Sequence, residues 1–293
     1  MKLTSKSQND ILSLAKKKIL RVILHMKKDE RLEILQARDY KVVKGNEIIQ
    51  KARYNLALSE IKAFSFIVSK IKPTDEVFHE YSFTINEYCK VLGIETNNGK
   101  NIQNIKRSLK QLVDKSFFLT LEDGTETTIS WLNKVWIDRG SGRIRVRLDD
   151  DLQKYVTGLY ANYTQYELLC TLPMRSSYSI RIYELLKSYA FTKKHIFSVE
   201  DLKRMLGCTH YDRFPDFRRK VIEVAVKEIN KFTDLEVTWE PITKGRKVVE
   251  IQFRIKQRDY LKRMDTLNNA QKAINKDNDQ LTILDYLNDQ VKE

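Results

Sequence analysis

The sequence has little material for disulfides, metal sites or membrane spans. Its 293 residues include four dispersed histidines and three distant cysteines without a C-x-x-C pair, Cys89, Cys170 and Cys208. This usage is typical of reduced thiols in a cytosol, and it offers no metal-ligand spacing. The apolar run Ile19–Met26 is interrupted by an arginine and a histidine, so it is too short and too charged to span a bilayer. No signal peptide is evident, and we expect a cytoplasmic protein with no membrane partner.

Motifs for catalysis are also lacking. Gly93 and Gly99-Lys100 superficially resemble a phosphate-binding P-loop, but five residues separate the glycines where the motif has four. Asn101 then stands where the motif has Ser or Thr. A strand-nicking replicase needs a metal-binding pair of histidines, and no His-x-His is present. We therefore predict a protein that is not an enzyme and has no cofactor or metal.

Acidic residues are fewer than basic residues. The chain has 53 Lys and Arg against 39 Asp and Glu, a formal net charge of +14. Residues 1–53 contain fourteen Lys and Arg against six Asp and Glu, whereas the last 35 residues contain five against seven. Clustered Lys and Arg release counterions from a phosphate backbone, so this asymmetry favours a nucleic-acid partner over solubility alone.

One unit occurs twice, 114 residues apart, as Thr84–Gly93 and Ser198–Gly207. Each begins with a hydroxyl residue suited to cap a short helix, and the acid three positions later, Glu87 or Asp201, can bond back to the N–H of the cap. Each ends in Leu-Gly, with glycine where helices often end in a left-handed backbone. A longer amphipathic helix with surplus positive charge follows each unit, which predicts two tandem helix-turn-helix motifs.

The order of elements predicts an α+β fold with two tandem winged-helix domains and a basic helical N-terminal arm. We assign residues 1–50 to the arm, 51–158 to the first domain, 159–258 to the second, and 259–293 to a polar C-terminal tail. The basic amphipathic helix of the arm could lie on a membrane surface, on DNA or on the first domain.

Each predicted domain opens with a helix, continues through its helix-turn-helix and ends in strands. In the first domain we expect helices at about 54–71 and 101–115, and strands at 117–122, 127–137 and 143–148. In the second domain we expect helices at about 177–190 and 215–232, and strands at 235–239 and 248–255 around a turn at 244–247.

The first long helix carries DNA-reading residue types on the face opposite its apolar stripe. Spaced by three or four, they are Lys100, Gln103, Asn104, Arg107 and Lys110. Arg and Lys bind guanine O6 and N7, Asn and Gln bind adenine N6 and N7, and Lys holds backbone oxygens. An ordinary solvated face is often basic and amide-rich too, but the preceding helix-turn signal favours DNA contact.

A second basic set lies on the second long helix and its hairpin. Near the helix N-terminus, which usually meets base edges in such motifs, are Arg213, Arg218, Arg219 and Lys220. At the predicted hairpin tip are Lys244, Arg246 and Lys247.

The remaining faces of the second long helix are assigned by their spacing. The predicted core face consists of Phe217, Val221, Val224 or Ala225, Ile229 and Phe232. On the other side we interpret Glu223 and Lys227 as an i,i+4 ion pair, although a glutamate there could also accept from cytosine N4.

A strand at 143–148 alternates arginine with apolar residues, so one face is core and the other is a row of three arginines, Arg143, Arg145 and Arg147. The row could bind phosphates, contact a second subunit or remain in solvent. The sequence does not choose among these three.

Several motifs in this order resemble the replication initiator (Rep) family of iteron-regulated theta plasmids. They are Ser141–Ile144, Ser177–Leu186, Phe214–Asn230 and Lys244–Lys247, and the likeness runs from about Asn55 to Ile255. The resemblance implies two winged-helix domains, binding to directly repeated origin sites as a monomer, and a dimer that represses its own promoter. It also implies recruitment of the host initiator and the replicative helicase.

By the same resemblance, Arg218, Arg219 and Lys220 would make the main origin contacts, and the first domain would both bind DNA and dimerise. We therefore expect a sequence-specific DNA-binding initiator of plasmid replication, whose partners are double-stranded DNA at the origin repeats and its own operator. Two alternatives stay open: a rolling-circle relaxase or nicking enzyme, and a transcriptional repressor without replication activity.

Overall fold

A computed structural model describes residues 40–71 and 80–275, except residues 97, 122, 139, 158 and 160. The predicted arm helix and the last part of the predicted tail lie outside these residues. The N-terminal half contains β1 (Lys41–Gly45), α1 (Asn46–Lys51), α2 (Leu58–Val68), β2 (Tyr81–Thr84), α3 (Ile85–Leu92), α4 (Gly99–Asp114), β3 (Ser116–Thr120), β4 (Glu126–Ser130), β5 (Leu132–Ile137) and β6 (Arg143–Leu148).

The C-terminal half repeats the order of helices and strands. It contains α5 (Gln153–Val156), β7 (Tyr163–Glu167), α6 (Ser177–Ser188), β8 (Lys194–Ser198), α7 (Val199–Met205), α8 (Phe214–Phe217), a π-helical turn (Arg218–Ile222), α9 (Glu223–Phe232), β9 (Leu235–Lys244), β10 (Lys247–Gln257) and α10 (Tyr260–Asn275). None of the helices in the described ranges is long and apolar enough to cross a membrane.

The strands form small antiparallel sheets around the helices. In the first half, one sheet has the order β2-β6-β5 and a hairpin pairs β3 with β4. In the second half, the order is β8-β10-β9. The short strand that leads into each helix-turn-helix, β2 or β8, pairs with a strand of the hairpin that follows it, β6 or β10. Each half therefore has the winged-helix plan that the sequence predicts.

Trp131 corrects the prediction of one strand over 127–137. Its side chain is 1% exposed, and its ring lies 4.6 Å from the ring of Phe64 and 4.4 Å from that of Phe117. Burying an indole in this aromatic cluster takes residue 131 out of the strand, so β4 and β5 belong to different sheets. Spacing alone does not reveal such a break.

Residues 41–51 correct the predicted extent of the N-terminal arm. β1 pairs antiparallel with β7 from Lys41↔Glu167 to Gly45↔Tyr163, and Val42 and Ile49 are buried. The ladder and the apolar burial make this segment part of the folded unit. The arm prediction relied on net charge, which does not report backbone pairing.

The chain also continues to fold past residue 258, where we predicted only a polar tail. In α10, Ala270 and Ile274 are buried, and Arg263 binds Glu167 at 2.5 Å. A narrow apolar stripe is enough to dock this mostly polar helix, which is why its composition suggested a tail.

Candidate DNA interface

The first helix-turn-helix begins with the predicted cap. The N–H of Glu87 donates to Thr84 Oγ1 at 3.0 Å, and α3 ends at Gly93 with φ of 66°. The carboxylate of Glu87 pairs with Lys70. The next helix, α4, is capped by Asn98, whose Oδ1 accepts the N–H of Lys100 at 2.9 Å.

The five predicted DNA-binding residues of α4 are all exposed. They are Lys100, Gln103, Asn104, Arg107 and Lys110. On the opposite face Ile105, Leu109 and Leu112 are buried, so core packing fixes which side of α4 faces outward. Of the set, Lys110 is paired with Asp114 one turn later. The structure thus groups these five residues on one accessible helix face, as their spacing predicts.

The second helix-turn-helix is likewise capped by its hydroxyl residue. The N–H of Asp201 donates to Ser198 Oγ at 2.9 Å, and the Ser198 hydroxyl donates to the Asp201 carboxylate at 2.6 Å. We predicted a bond from the acid to the N–H of the cap. The shorter aspartate side chain accepts from the cap hydroxyl, and this hydrogen bond is the main cause of its lowered pKa.

The second long helix, residues 214–232, is interrupted by the π-helical turn Arg218–Ile222. The turn inserts one residue into the helical repeat, so Val221 and Ile222 are both buried. Arg218 reaches across it to Glu223, five positions on, at 3.2 Å. Glu223 therefore pairs with Arg218 and not with Lys227, which corrects the i,i+4 pair expected from a regular α-helix.

One carboxylate organises the arginines at the start of this helix. Asp216 binds Arg213 at 3.0 Å and Arg219 at 3.2 Å. The hydrogen bond from Arg213 and the charges of both guanidinium groups hold the pKa of Asp216 below its usual range. Arg213, Arg218, Arg219 and Lys220 are all exposed, so their charges remain accessible from solvent. The ammonium of Lys220 lies 5.8 Å from the centre of the Tyr211 ring.

The basic wing is the hairpin of β9 and β10. Its turn contains Gly245, with φ of 63°, and Arg246, and it places Lys244 opposite Lys247. All three cations are exposed. Pairing across a two-residue turn brings the positive charges together at the tip, as the sequence predicts.

Wing and helix meet along a groove of about 750 Å³. Arg246 and Lys247 line it from the wing, and Phe214 and Pro215 line it from the start of the second long helix. Lys203 of α7 also lines the groove, and its ammonium donates to the backbone carbonyl of Tyr211. The groove thus joins two of the three predicted wing cations to the start of the second long helix, and it adds Lys203 together with the acids Glu200 and Asp212. Arg213, Arg218, Arg219 and Lys220 are not among the residues that line it. The only signal for Lys203 was its place in the repeated unit, four residues before Gly207.

The arginine row is exposed on β6, and the residues between the arginines are buried. Arg145 binds Glu80 at 2.6 Å and lies 5.0 Å from the Trp136 ring, and Arg147 binds Asp150 at 3.3 Å. The predicted two-face pattern is confirmed. These ion pairs do not distinguish among phosphate binding, contact with a second subunit and exposure to solvent, the three roles that the sequence leaves open.

The three cysteines are buried, and the residues that the structure describes form no metal-binding cluster. Cys89, Cys170 and Cys208 are buried free thiols, and burial raises the pKa of Cys170 and of Cys208 to about 12. Within residues 40–71 and 80–275 no group of three or more His, Cys, Asp and Glu is placed to hold a metal ion.

Fold and site together define a chain with two tandem winged-helix domains, each with a long helix that exposes basic side chains. The family model described as "Initiator Replication protein, WH1" matches residues 41–187, and "Initiator Rep protein, WH2" matches residues 198–255. The chain belongs to this family of plasmid replication initiators, which confirms the resemblance found in the sequence.

Two individual proteins are similar to this chain. The PI protein of Escherichia coli is 27% identical over 131 residues, which cover 38% of this chain and 43% of that protein. The chain thus matches less than half the length of this curated relative. A structure described as Pi initiator protein in complex with iteron DNA aligns with a TM-score of 0.60 at 19% identity, covering 76% of this chain and 99% of that chain. This likeness shows the fold.

Proposed function

We propose that this chain initiates plasmid replication by binding repeated origin sequences as double-stranded DNA. The observation that carries the proposal is the second-domain site, where the second long helix and the basic wing line one groove. In DNA-binding motifs of this kind, a helix enters the major groove and contacts the bases, and neighbouring elements contact the phosphates. We assign the first role to the second long helix and the second role to the wing. The DNA complex of the similar Pi initiator supports the same kind of ligand.

Both domains take part in the proposed binding. The first long helix presents its amide and basic residues on one exposed face, and the second presents an arginine-rich N-terminal end. Two such helices on one chain would enter successive major grooves, about one helical turn apart, so the protected site would span roughly 20 bp.

We also propose that the chain switches between an initiating monomer and a dimer that represses its own promoter. Family membership supports this, and the first domain offers the surface. β5 is an edge strand of its sheet, and exposed edges pair readily with another chain. Trp136 of β5 and Arg145 of the adjacent strand β6 together form a cationic and aromatic surface of the kind enriched at protein interfaces.

The initiator would act in the cytoplasm without covalent chemistry. It would mark the origin, deform the duplex and gather the host initiator and the replicative helicase, partners proposed from the family alone.

Footprinting the full chain on the DNA upstream of its own gene tests the proposed binding. A protected region of roughly 20 bp in each repeat is expected for two reading helices. A patch of half that length would mean that one domain alone binds, and no sequence-specific protection would overturn the proposal.

Two functional assays separate initiation from the alternatives. A plasmid whose only candidate origin is this gene with its upstream repeats should replicate, and failure to replicate despite specific binding would leave a repressor. Supercoiled origin DNA incubated with the protein and Mg²⁺ or Mn²⁺ should stay intact. Nicking, or a covalent protein–DNA adduct, would instead identify a relaxase.

A further inference from the structure

Val224 is an apolar residue on the outer face of the second long helix. It keeps 36% of its surface exposed, although spacing predicted either it or Ala225 for the core. Lys227 and Lys231, three and seven positions later, are also exposed and share its face. Valine brings no charge or hydrogen bond to this face, so any contact that it makes with a ligand is an apolar one.

The π-helical turn is what exposes Val224. Phe217 is buried, and in a regular α-helix its face would continue to Val221 and Val224, four and seven positions later. The extra residue of the turn moves the buried face on by one position, to Ile222, Ala225 and Ile229. Val224 then falls on the outer side, one helical turn beyond Lys220.

We propose that Val224 is a specificity-determining residue that contacts the C5-methyl group of a thymine in the major groove. This inference rests on the proposed function, since it needs the second long helix to enter that groove. Among the base edges exposed in the major groove, that of thymine carries an apolar group, the C5-methyl group. Small apolar side chains recognise this methyl group by direct contact. Lys227 and Lys231 on the same face match the phosphates that flank the groove. Glu228, four positions beyond Val224, accepts the backbone N–H of Arg175 at 2.8 Å and is held by that contact within the chain.

The position along the helix also fits this role. Val224 is one turn, about 5.4 Å of axis, beyond the arginine and lysine cluster of the π-helical turn. Base pairs are spaced by about 3.4 Å, so a base one or two steps from those read by the cluster lies within reach. The arginines would contact polar base edges, and Val224 would distinguish thymine from cytosine at the neighbouring position.

The test removes the thymine methyl without changing base pairing. The probe is a duplex of about 30 bp, long enough for two reading helices, that the full-length wild-type chain selects from a random-sequence library. Each thymine is replaced singly by deoxyuridine, and affinity is measured by gel shift. Wild-type protein should bind about fourfold more weakly at one or two positions, the effect of losing burial of one methyl group. Val224→Ala lacks the two Cγ methyl groups that reach farthest into the groove, so it should lose most of the difference between thymine and deoxyuridine.

Two further variants keep the result interpretable. Val224→Thr retains the branched shape and one methyl group, so it should keep part of the deoxyuridine sensitivity. Leu261→Ala shortens an exposed apolar side chain on α10 and should behave as wild type. The inference is wrong if no deoxyuridine position weakens wild-type binding, or if Val224→Ala keeps the full sensitivity. Failure of the wild-type chain to select any duplex would instead count against the proposed function.

Discussion

Gly207 lies directly against the backbone of Tyr54. A Cβ atom at residue 207 would be 2.9 Å from the carbonyl oxygen of Tyr54 and 3.1 Å from Cβ of Asn55. Gly207 also has φ of 61°, which L-residues with a side chain adopt at a cost. The turn of the second helix-turn-helix therefore rests on the segment that leads into the opening helix of the first domain.

Gly207→Ala should destabilise the protein by more than the cost of its backbone conformation. The left-handed backbone alone costs roughly 1–2 kcal/mol for alanine. The clash with the carbonyl oxygen of Tyr54 adds to this conformational cost, because a backbone carbonyl cannot rotate away as a flexible side chain would. Urea unfolding should show the loss. The matched control is Gly142→Ala, with φ of 65° and no atom within 4 Å of its added Cβ. Equal losses in the two variants would mean that the contact with Tyr54 is not tight.

The Glu184 carboxylate is the centre of a buried charge cluster. It accepts hydrogen bonds from Lys44 at 2.6 Å, from the Tyr166 hydroxyl at 2.7 Å and from Arg181 at 3.3 Å. Burial alone would raise its pKa, but the charges of Lys44 and Arg181 hold the pKa of Glu184 below its usual value. The cluster joins β1 to α6, so residues far apart in the chain depend on one another.

Glu184→Gln should cost about 3–5 kcal/mol, because it leaves two buried cations without a counterion. Glu47→Gln removes an exposed i,i+4 partner of Lys51 and should change stability by no more than about 0.5 kcal/mol. Chemical denaturation of both variants provides the comparison. A small loss at Glu184 would show that water or neighbouring groups compensate the cations.

Local sequence signals predicted both helix-turn-helix motifs, the wing and the exposure of all twelve candidate DNA-binding residues. Caps, left-handed glycines and apolar spacing are set by near neighbours, so they can be recognised in the sequence. The buried carboxylate of Glu184 could not be predicted, because its partner Lys44 is 140 residues away. The π-helical turn was missed because Val221, Ile222 and Val224 are all apolar and fit more than one register.

Arg219→Ala and Lys247→Ala should affect DNA binding differently. Loss of Arg219 from the reading helix should cost about 1–3 kcal/mol and relax base preference at one position. Loss of Lys247 from the wing should weaken binding about equally on all sequences and reduce the salt slope by about 1, as for a phosphate contact. Gel shifts on a panel of single-base variants, repeated at several salt concentrations, measure both effects. The reverse pattern would mean that the wing contacts the bases and the helix contacts the phosphates.

Arg145→Glu tests the proposed dimer surface. The new carboxylate would face Glu80, the present partner of Arg145, and would lose the stacking on Trp136. We expect weaker dimers by light scattering, poor repression from an inverted repeat and nearly normal binding to a single direct repeat. Arg147→Glu reverses the charge of the next residue on the exposed face of the same strand. If the interface is centred on Arg145, this control variant should weaken the dimer less. A variant that stays dimeric and represses normally would remove this surface from the interface, and one that binds neither site would make the row a DNA contact.

Asp216→Asn tests whether the carboxylate restrains the reading arginines. In the free protein Asp216 binds both Arg213 and Arg219, so it partly neutralises them and fixes their direction. Asparagine cannot form either ion pair. Binding to non-specific DNA should therefore strengthen, with a salt slope steeper by about 0.9 for each phosphate newly contacted. Discrimination between the selected site and single-base variants should fall, because Arg219 is no longer oriented.

The control for Asp216→Asn is Asp150→Asn. It adds the same single positive charge by removing the partner of Arg147 on the first-domain sheet. Affinities for selected and random duplexes, measured for both variants across a salt series, separate a local effect from net charge. If both variants gain the same non-specific affinity, total charge alone sets that affinity. If Asp216→Asn alone gains it and loses discrimination, the pairs to Arg213 and Arg219 trade affinity for specificity.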